Sequence, residues 1–175
     1  MPRLPMPRTR AATLVMFPEA AVIIDLAKTA GVTLATAESL TGGAVCAALV
    51  STAGASEVVR GGIVAYDTKV KIDVLRVSPL LIEREGPVAQ AVALAMARGA
   101  LTALGADVAV ATTGVAGPEP HGGREHGTVV IAVVGPGVNT VRTVHFEGNR
   151  DDVVRETVAA ALEDLARVLS GLAPR

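Results

Sequence analysis

Val32-Thr33-Leu34-Ala35-Thr36-Ala37-Glu38-Ser39-Leu40-Thr41-Gly42-Gly43 is the stretch that decides the fold. Its first six residues form an apolar run of the length expected for a buried strand. Glu38 to Gly43 interrupts with a polar, glycine-ended turn, and Ala44 to Thr52 then reads as a helix. Upstream, Pro18 to Ala30 carries Val22, Ile23, Leu26 and Ala27 on one helical face. Pro18 suits a first helical turn and Gly31 a helix stop. Helix, strand, glycine turn and helix in succession mark an α/β layer protein.

Downstream the alternation continues. Gly61 to Tyr66 reads as a second strand, Lys69 to Leu75 as a short helix, and Leu80 to Glu85 as a further turn after Ser78-Pro79. Pro87 to Leu104 is a long helix of small residues, in which Ala91, Ala95 and Gly99 admit close approach of another element. Asp107 to Thr112 is a third strand. Thr113 to Gly127 is a loop rich in Gly and Pro, with Glu119 to His126 expected to form a mobile flap. Thr128 to Val134 and Thr140 to Phe146 form a hairpin across Gly135 to Asn139. Asp151 to Leu169 closes the pattern as an amphipathic helix with a stripe of Val154, Val158, Leu162, Leu165 and Leu169. The expected architecture is a three-layer α/β/α sandwich around a mixed, mostly parallel sheet that includes a C-terminal β-hairpin. Residues 1–16, with three Arg and three Pro among the first ten, read as a disordered leader, and 17–172 as a single domain.

Composition narrows the function. At 175 residues such a chain buries ~69% of its unfolded surface, enough for one core. Sixteen Lys and Arg against 17 Asp and Glu leave a net charge of −1. No global field attracts nucleic acid, so charge effects must be local. Trp is absent and Tyr66, Phe17 and Phe146 are the only aromatics, which disfavours a base-stacking platform. Cys46 is the single cysteine, so no intrachain disulfide forms, in keeping with a reducing, cytoplasmic setting. His121, His126 and His145 lack metal-ligand spacing, no signal peptide stands out, and no apolar run is long enough to span a membrane.

In open α/β sheets ligands bind beyond the carboxyl ends of the strands. Three segments fall there: Glu38 to Gly43, Tyr66 to Lys71 and Thr112 to Gly117. Ser39 on a strand-to-helix turn can serve as a nucleophile beside backbone N–H groups, can help bind a phosphate, or can cap a helix, as Thr41 also can. A serine hydroxyl needs a base. No Ser-His-Asp arrangement is evident, whereas Lys69 and Lys71 both follow the second strand, and a lysine serves when burial depresses its pKa. Tyr66 can relay a proton, orient the lysine or pack as a core aromatic. Thr112 to Pro118 allows close backbone approach, but is neither a Walker loop nor GxGxxG. His121 and His126 read as solvated. Asp151 and Asp152 suit the positive end of the last helix, Arg150 is a surface residue or a fork for phosphate or carboxylate, and Cys46 is a small buried hydrophobe.

Thr36 to Gly43, Gly61-Gly62-Ile63-Val64-Ala65-Tyr66, Thr113-Gly114-Val115-Ala116-Gly117-Pro118, Gly127-Thr128-Val129 and Gly148-Asn149-Arg150 occur in this order. In this register the chain resembles the C-terminal domain of the CinA proteins, a family that includes stand-alone nicotinamide mononucleotide (NMN) deamidases. The resemblance runs from about Glu19 to Leu169 and does not include the nucleotide-hydrolase-like N-terminal domain of the family's longer members. It implies hydrolysis of the NMN carboxamide to nicotinic acid mononucleotide and ammonia, with no metal or organic cofactor, and together with the small-residue helix Pro87 to Leu104 it points to a homo-oligomer; the charge, the aromatics and the apolar runs already disfavour nucleic acid and membrane as partners. The family's serine maps to Ser39, its tyrosine to Tyr66, its lysine to Lys71 rather than Lys69, and its arginine to Arg150.

On that reading Lys71 accepts the Ser39 proton, directly or through Tyr66. Backbone N–H groups near Thr41 to Gly43 hold the oxyanion. Glu38, Thr41, Gly42, Gly43, Thr113, Gly114 and Arg150 make up the substrate-binding set. Asp67-Thr68 stands where the family often has Ser-Asn, Ala89 where it has serine, and Asn149 where it has Asp. These departures leave room for an alternative, a non-catalytic nucleotide-binding or regulatory module of the competence and DNA-damage response.

Overall fold

A computed structural model describes residues 17–173. The leader expected over residues 1–16 lies outside them. Chain order is α1 (Glu19–Ala30), β1 (Leu34–Glu38), α2 (Ala44–Val50), α3 (Ala55–Val58), β2 (Val59–Val64), α4 (Thr68–Asp73), α5 (Pro79–Glu85), α6 (Gln90–Leu104), β3 (Val108–Gly114), β4 (Thr128–Gly135), β5 (Val138–His145) and α7 (Arg150–Ser170). The strands form one sheet in the order β2-β1-β3-β4-β5. β1 pairs in parallel with β2 and β3, while β4 pairs antiparallel with β3 and β5. The fold is therefore the expected α/β sandwich with a mixed sheet and a C-terminal hairpin. The chain leaves β1 toward β2 on one side and returns to β3 on the other, so the head of β1 is a topological switch point.

Burial explains why the strands read as they do. β1 is buried at every position, and β3 at all but its last, because helices cover both faces, and such strands show no polar alternation. The edge strand β2 alternates half-buried and exposed residues. Residue size is divided between the faces. Leu34, Val108 and Val110 join α1, α2 and α7 in one core. Ala35, Ala37, Ala109 and Ala111 face α6 in the other. With alanines from β1 and β3 opposite, beside Val130 and Val134 of β4, α6 packs on the sheet through Val92, Ala93, Met96, Ala97 and Ala100. Each buried Leu or Met contributes roughly 1.5–3 kcal/mol of transfer free energy.

Several boundaries differ from the sequence reading. The hairpin is tighter than expected: Gly135 pairs with Val138, leaving Pro136 and Gly137 as the turn, with Gly137 at φ 71°. The extra pairs cover apolar strand residues that a five-residue loop would leave open. The one-turn helix α3 had no signal in the sequence. The buried face of α7 contains Val153 rather than Val154, a shift of one position along the 3.6-residue period. Asn149 begins α7 with a capping box: its Oδ1 accepts from the N–H groups of Asp151 and Asp152, and Asp152 accepts from Asn149 N–H. The segment expected as a mobile flap is tied down: Gly122 sits against the Pro87 ring, and Arg124 Nε donates to Val88 O at 3.3 Å. No helix among the described residues is long and apolar enough to cross a membrane.

Of the small residues noted on α6, Gly99 is the one that permits a backbone approach: an added Cβ would lie 2.0 Å from Leu75 O. Alanine gains about 1 kcal/mol of helix propensity over glycine, but overpacking at a backbone atom costs about 1–3 kcal/mol. Gly99→Ala is therefore expected to lower the urea midpoint despite the better helix former. An unchanged or raised midpoint would contradict this packing.

Candidate functional site

The head of β1 is organised by a carboxylate. Glu38 is 1% exposed and accepts five hydrogen bonds. Oε1 takes Thr36 Oγ1 at 3.0 Å and Cys46 N at 2.8 Å. Oε2 takes Thr41 Oγ1 at 2.7 Å and the N–H groups of Gly43 and Val45 at 3.0 Å each. Helix α2 begins at Gly43, which offers no capping side chain, so Glu38 caps it from the preceding strand. Reaching that geometry requires two successive left-handed residues, Gly42 at φ 61° and Gly43 at φ 100°, where glycine carries no steric cost. The Thr41 proton is committed to the carboxylate, so Thr112 is the donor in the 2.7 Å Thr41–Thr112 contact.

This corrects the expected substrate-binding set. Glu38, Thr41, Gly42 and Gly43 do not line the cavity: Glu38 and Thr41 are buried and Gly42 is exposed. The oxyanion donors move with them. Gly42 N–H donates to Ser39 O at 3.1 Å and Gly43 N–H to Glu38, so both are spent. The N–H groups of Leu40 and Thr41 have no protein acceptor among the described residues, and Leu40 lines the cavity. A donor on the residue after a serine is the arrangement of a nucleophile elbow. Helix capping, the other role weighed for Ser39 and Thr41, falls to Glu38.

Side chains alternate along a strand, so Ser39 turns away from Glu38. It lines a cavity of about 570 Å³ together with Tyr66, Lys71, Thr113, Gly114 and Arg150. Ser39 is 7% exposed, and its hydroxyl makes no hydrogen bond among the described residues. Lys71 is 2% exposed. Its Nζ donates to Thr113 Oγ1 at 3.0 Å and to Pro87 O at 3.4 Å, and Thr113 in turn donates to Pro87 O at 3.0 Å. Among the described residues no carboxylate pairs with it, and burial lowers its pKa from 10.5 to about 8. Lys69 is exposed and pairs with Asp73, which leaves Lys71 as the buried amine. In this state Lys71 is bonded to Thr113 and not to Ser39.

Tyr66 is 65% exposed. Its hydroxyl accepts from Arg150 Nη2 at 3.4 Å. The expected relay between Ser39 and Lys71 therefore has no bond to support it, because β2 ends at Val64 and the tyrosine stands at the cavity mouth. The departures from the family pattern concern helix starts. Asp67 caps α4, accepting from Lys69 N–H at 2.6 Å, and Asn149 caps α7. Ala89 is the N-cap of α6 and caps nothing, where a serine would contribute about 1 kcal/mol.

The sequence reading missed the cavity roles of Leu40, Pro87, Val88, Glu119 and His121; Pro87 alone carried a signal, as a helix start. It also missed His126, which is hydrogen-bonded at both ring nitrogens rather than solvated. Cys46 is half-buried, and burial, then the nearby Glu38 charge, push its thiol pKa up. Among the described residues no three His, Cys, Asp or Glu side chains converge as metal ligands would.

Comparison with known proteins gives a consistent assignment. The family model described as the CinA C-terminal domain matches residues 17–169. A CinA-like protein of Frankia casuarinae is 42% identical over 151 residues, covering 86% of this chain and 35% of that protein. A CinA-like protein of Mycobacterium marinum is 47% identical over 141 residues, covering 78% and 33%. The chain spans about a third of the length of these curated relatives. The competence damage-inducible protein A of Klebsiella pneumoniae subsp. pneumoniae MGH 78578 superposes with a TM-score of 0.85 at 32% identity, over 89% of this chain and 97% of that one. A CinA superfamily protein from Enterobacter cloacae does so with a TM-score of 0.81 at 31% identity, over 97% and 98%.

Two substitutions test the site's construction. Glu38→Gln puts an NH₂ donor against at least one backbone N–H whichever way the amide turns, and should cost about 3 kcal/mol or more in urea unfolding; a near-neutral result would refute the capping role. Lys71→Met removes an amine that is costly to charge. The folded pKa near 8 lies below the 10.5 of the free group, so the unfolded chain binds more protons between these values and wild-type stability rises across that window. Lys71→Met should stabilise by on the order of 2–3 kcal/mol below pH 8, an advantage that fades between pH 8 and 10.5. Destabilisation at pH 7 would show that the amine is not desolvated.

Proposed function

The chain belongs to the CinA C-terminal domain family, and from that premise we propose that it is an amidohydrolase that deamidates nicotinamide mononucleotide to nicotinic acid mononucleotide. The observation that carries the reading is the pairing of an unbonded Ser39 hydroxyl with a buried Lys71 amine on the wall of one cavity. At pH 7 a lysine with pKa about 8 is neutral in roughly a tenth of molecules, against fewer than one in a thousand for an ordinary lysine. That fraction supplies a base for serine.

The steps follow from these groups. Ser39 Oγ attacks the carboxamide carbon as neutral Lys71 takes its proton, and the carbonyl electron pair moves onto oxygen. The N–H group of Leu40, on the cavity wall, faces the charge that develops there. The C–N bond breaks, the Lys71 ammonium returns the proton to the leaving nitrogen, and ammonia departs. Water, deprotonated by Lys71, then cleaves the Ser39 ester and releases the acid. Arg150 at the cavity mouth suits the nucleotide phosphate through its planar fork. Val88, Val115 and Ala116 give the ring an apolar wall.

An ammonia-release assay with NMN tests this. Wild-type chain should turn over, with kcat rising with pH and levelling above about pH 8 as Lys71 loses its proton. Ser39→Ala should lose at least about three powers of ten in kcat, and Lys71→Met should lose a comparable amount. Wild-type turnover in Ser39→Ala would end the acyl-enzyme scheme. Tight NMN binding with no turnover in the wild type would support the nucleotide-binding module instead.

A further inference from the structure

His126 ends the loop between β3 and β4 and touches two other segments. Its Nδ1 lies 2.6 Å from Gly117 O and its Nε2 2.8 Å from Gly148 O. A carbonyl oxygen only accepts, and a neutral imidazole donates from one nitrogen alone, so both contacts are hydrogen bonds only in the imidazolium. Gly117 is part of the cavity wall. Gly148 stands two residues before Arg150, whose Nη1 lies against Gly117, 3.9 Å from where a Cβ would be. The backbone holds the same three strands of chain together one residue further on, where Gly127 N–H donates to Val115 O at 2.8 Å and Gly127 O accepts from Phe146 N–H at 3.0 Å.

We propose that His126 is a positioning residue, whose imidazolium fastens the Gly148–Arg150 turn to the Gly117 wall and so sets the guanidinium at the cavity mouth. This rests on the reading above, in which Arg150 meets the anionic end of the substrate. The neutral ring presents a lone pair to one of the two carbonyls, and that contact becomes repulsive. The turn is then free to move, taking Arg150 with it. The titratable groups on the ring's own loop and on the segments next to it are Glu119, Glu125, His145, Glu147, Arg150 and Asp152; of these, Glu147 acts on its charge. The hydrogen bonds to Gly148 and then Gly117 raise the His126 pKa above the ordinary imidazole value, Glu147 adding to this and desolvation opposing it. A raised folded-state pKa means that the clamp is complete below the ordinary value and is lost as pH rises through the folded one. Affinity thus falls with pH while the Lys71 base gains, and the two groups separate into a binding limb and a turnover limb.

The test uses the full chain and two readouts. First, ¹⁵N spectra of the histidine rings, with His126 assigned by its loss in His126→Gln, should show both ring nitrogens protonated below the ordinary imidazole value of about 6.5 and a midpoint above that value. The amide signals of Gly148 and Arg150 should move with the same midpoint. A midpoint at or below that of an ordinary imidazole, or amides that ignore the ring's titration, would overturn the proposal, and this arm needs no turnover. Second, the Kd for NMN is measured by calorimetry on the Ser39→Ala chain on either side of the His126 midpoint read from the spectra, with the second ionisation of a phosphate monoester at about 6 followed separately on free NMN. It should rise several-fold through the His126 midpoint, and His126→Gln should begin weaker and lose that step. In an Arg150→Ala background, His126→Gln should add little further loss, whereas additive losses would mean that the ring acts without Arg150. If NMN neither binds nor reacts, the proposed activity fails while the spectra still decide the clamp.

Discussion

A carboxylate taken out of water needs a full complement of donors, and at Glu38 that requirement shapes the head of the sheet. The five donors come from three places: Thr36 on β1, Thr41 on the turn, and the first amides of α2. Satisfying them fixes where α2 begins and demands the left-handed backbone that Gly42 and Gly43 provide. Strand alternation then points Ser39 the other way, with its hydroxyl left free. A structural device on one side of the chain thus presents a reactive group on the other.

The same alternation divides β3. Thr112 joins Thr41 and the carboxylate network, while its neighbour Thr113 joins Lys71 and Pro87 O. Two polar networks therefore occupy opposite faces of the same sheet end, and Ser39 lies at their border, in the crevice made by the strand-order reversal. The networks differ in kind. Glu38 is surrounded by donors, whereas Lys71 has two neutral acceptors and, among the described residues, no counter-charge, so its ammonium form is disfavoured. A group held against its preferred protonation state is the usual compromise of a site against stability.

The departures from the family pattern have a common physical meaning. Asp67, Ala89 and Asn149 all stand at helix starts, and Asn149 and Asp67 still cap theirs. Ala89 gives up a cap on α6, a helix held chiefly by packing against the alanine face of the sheet. Ser39, Lys71 and Thr113 are untouched by these changes. Asp67 and its neighbour Thr68 also line the cavity, where Asp67 adds a carboxylate.

The sequence by itself determined the layer architecture, the three parallel strands, the hairpin and the segments that end at the carboxyl edge of the sheet. Hydrophobic period and glycine punctuation are local signals, and they survive folding. It also singled out Ser39, Tyr66, Lys71 and Arg150, through a resemblance carried by short motifs. Only the tertiary structure decided what each group faces: that Glu38 caps a helix instead of meeting a ligand, that Tyr66 joins Arg150 at the mouth, that Lys71 rather than Lys69 is the desolvated amine, and that His126 bridges two loops. Burial and hydrogen-bond partnership depend on residues between 2 and 84 positions away along the chain, and no local pattern encodes which of those distant groups will arrive.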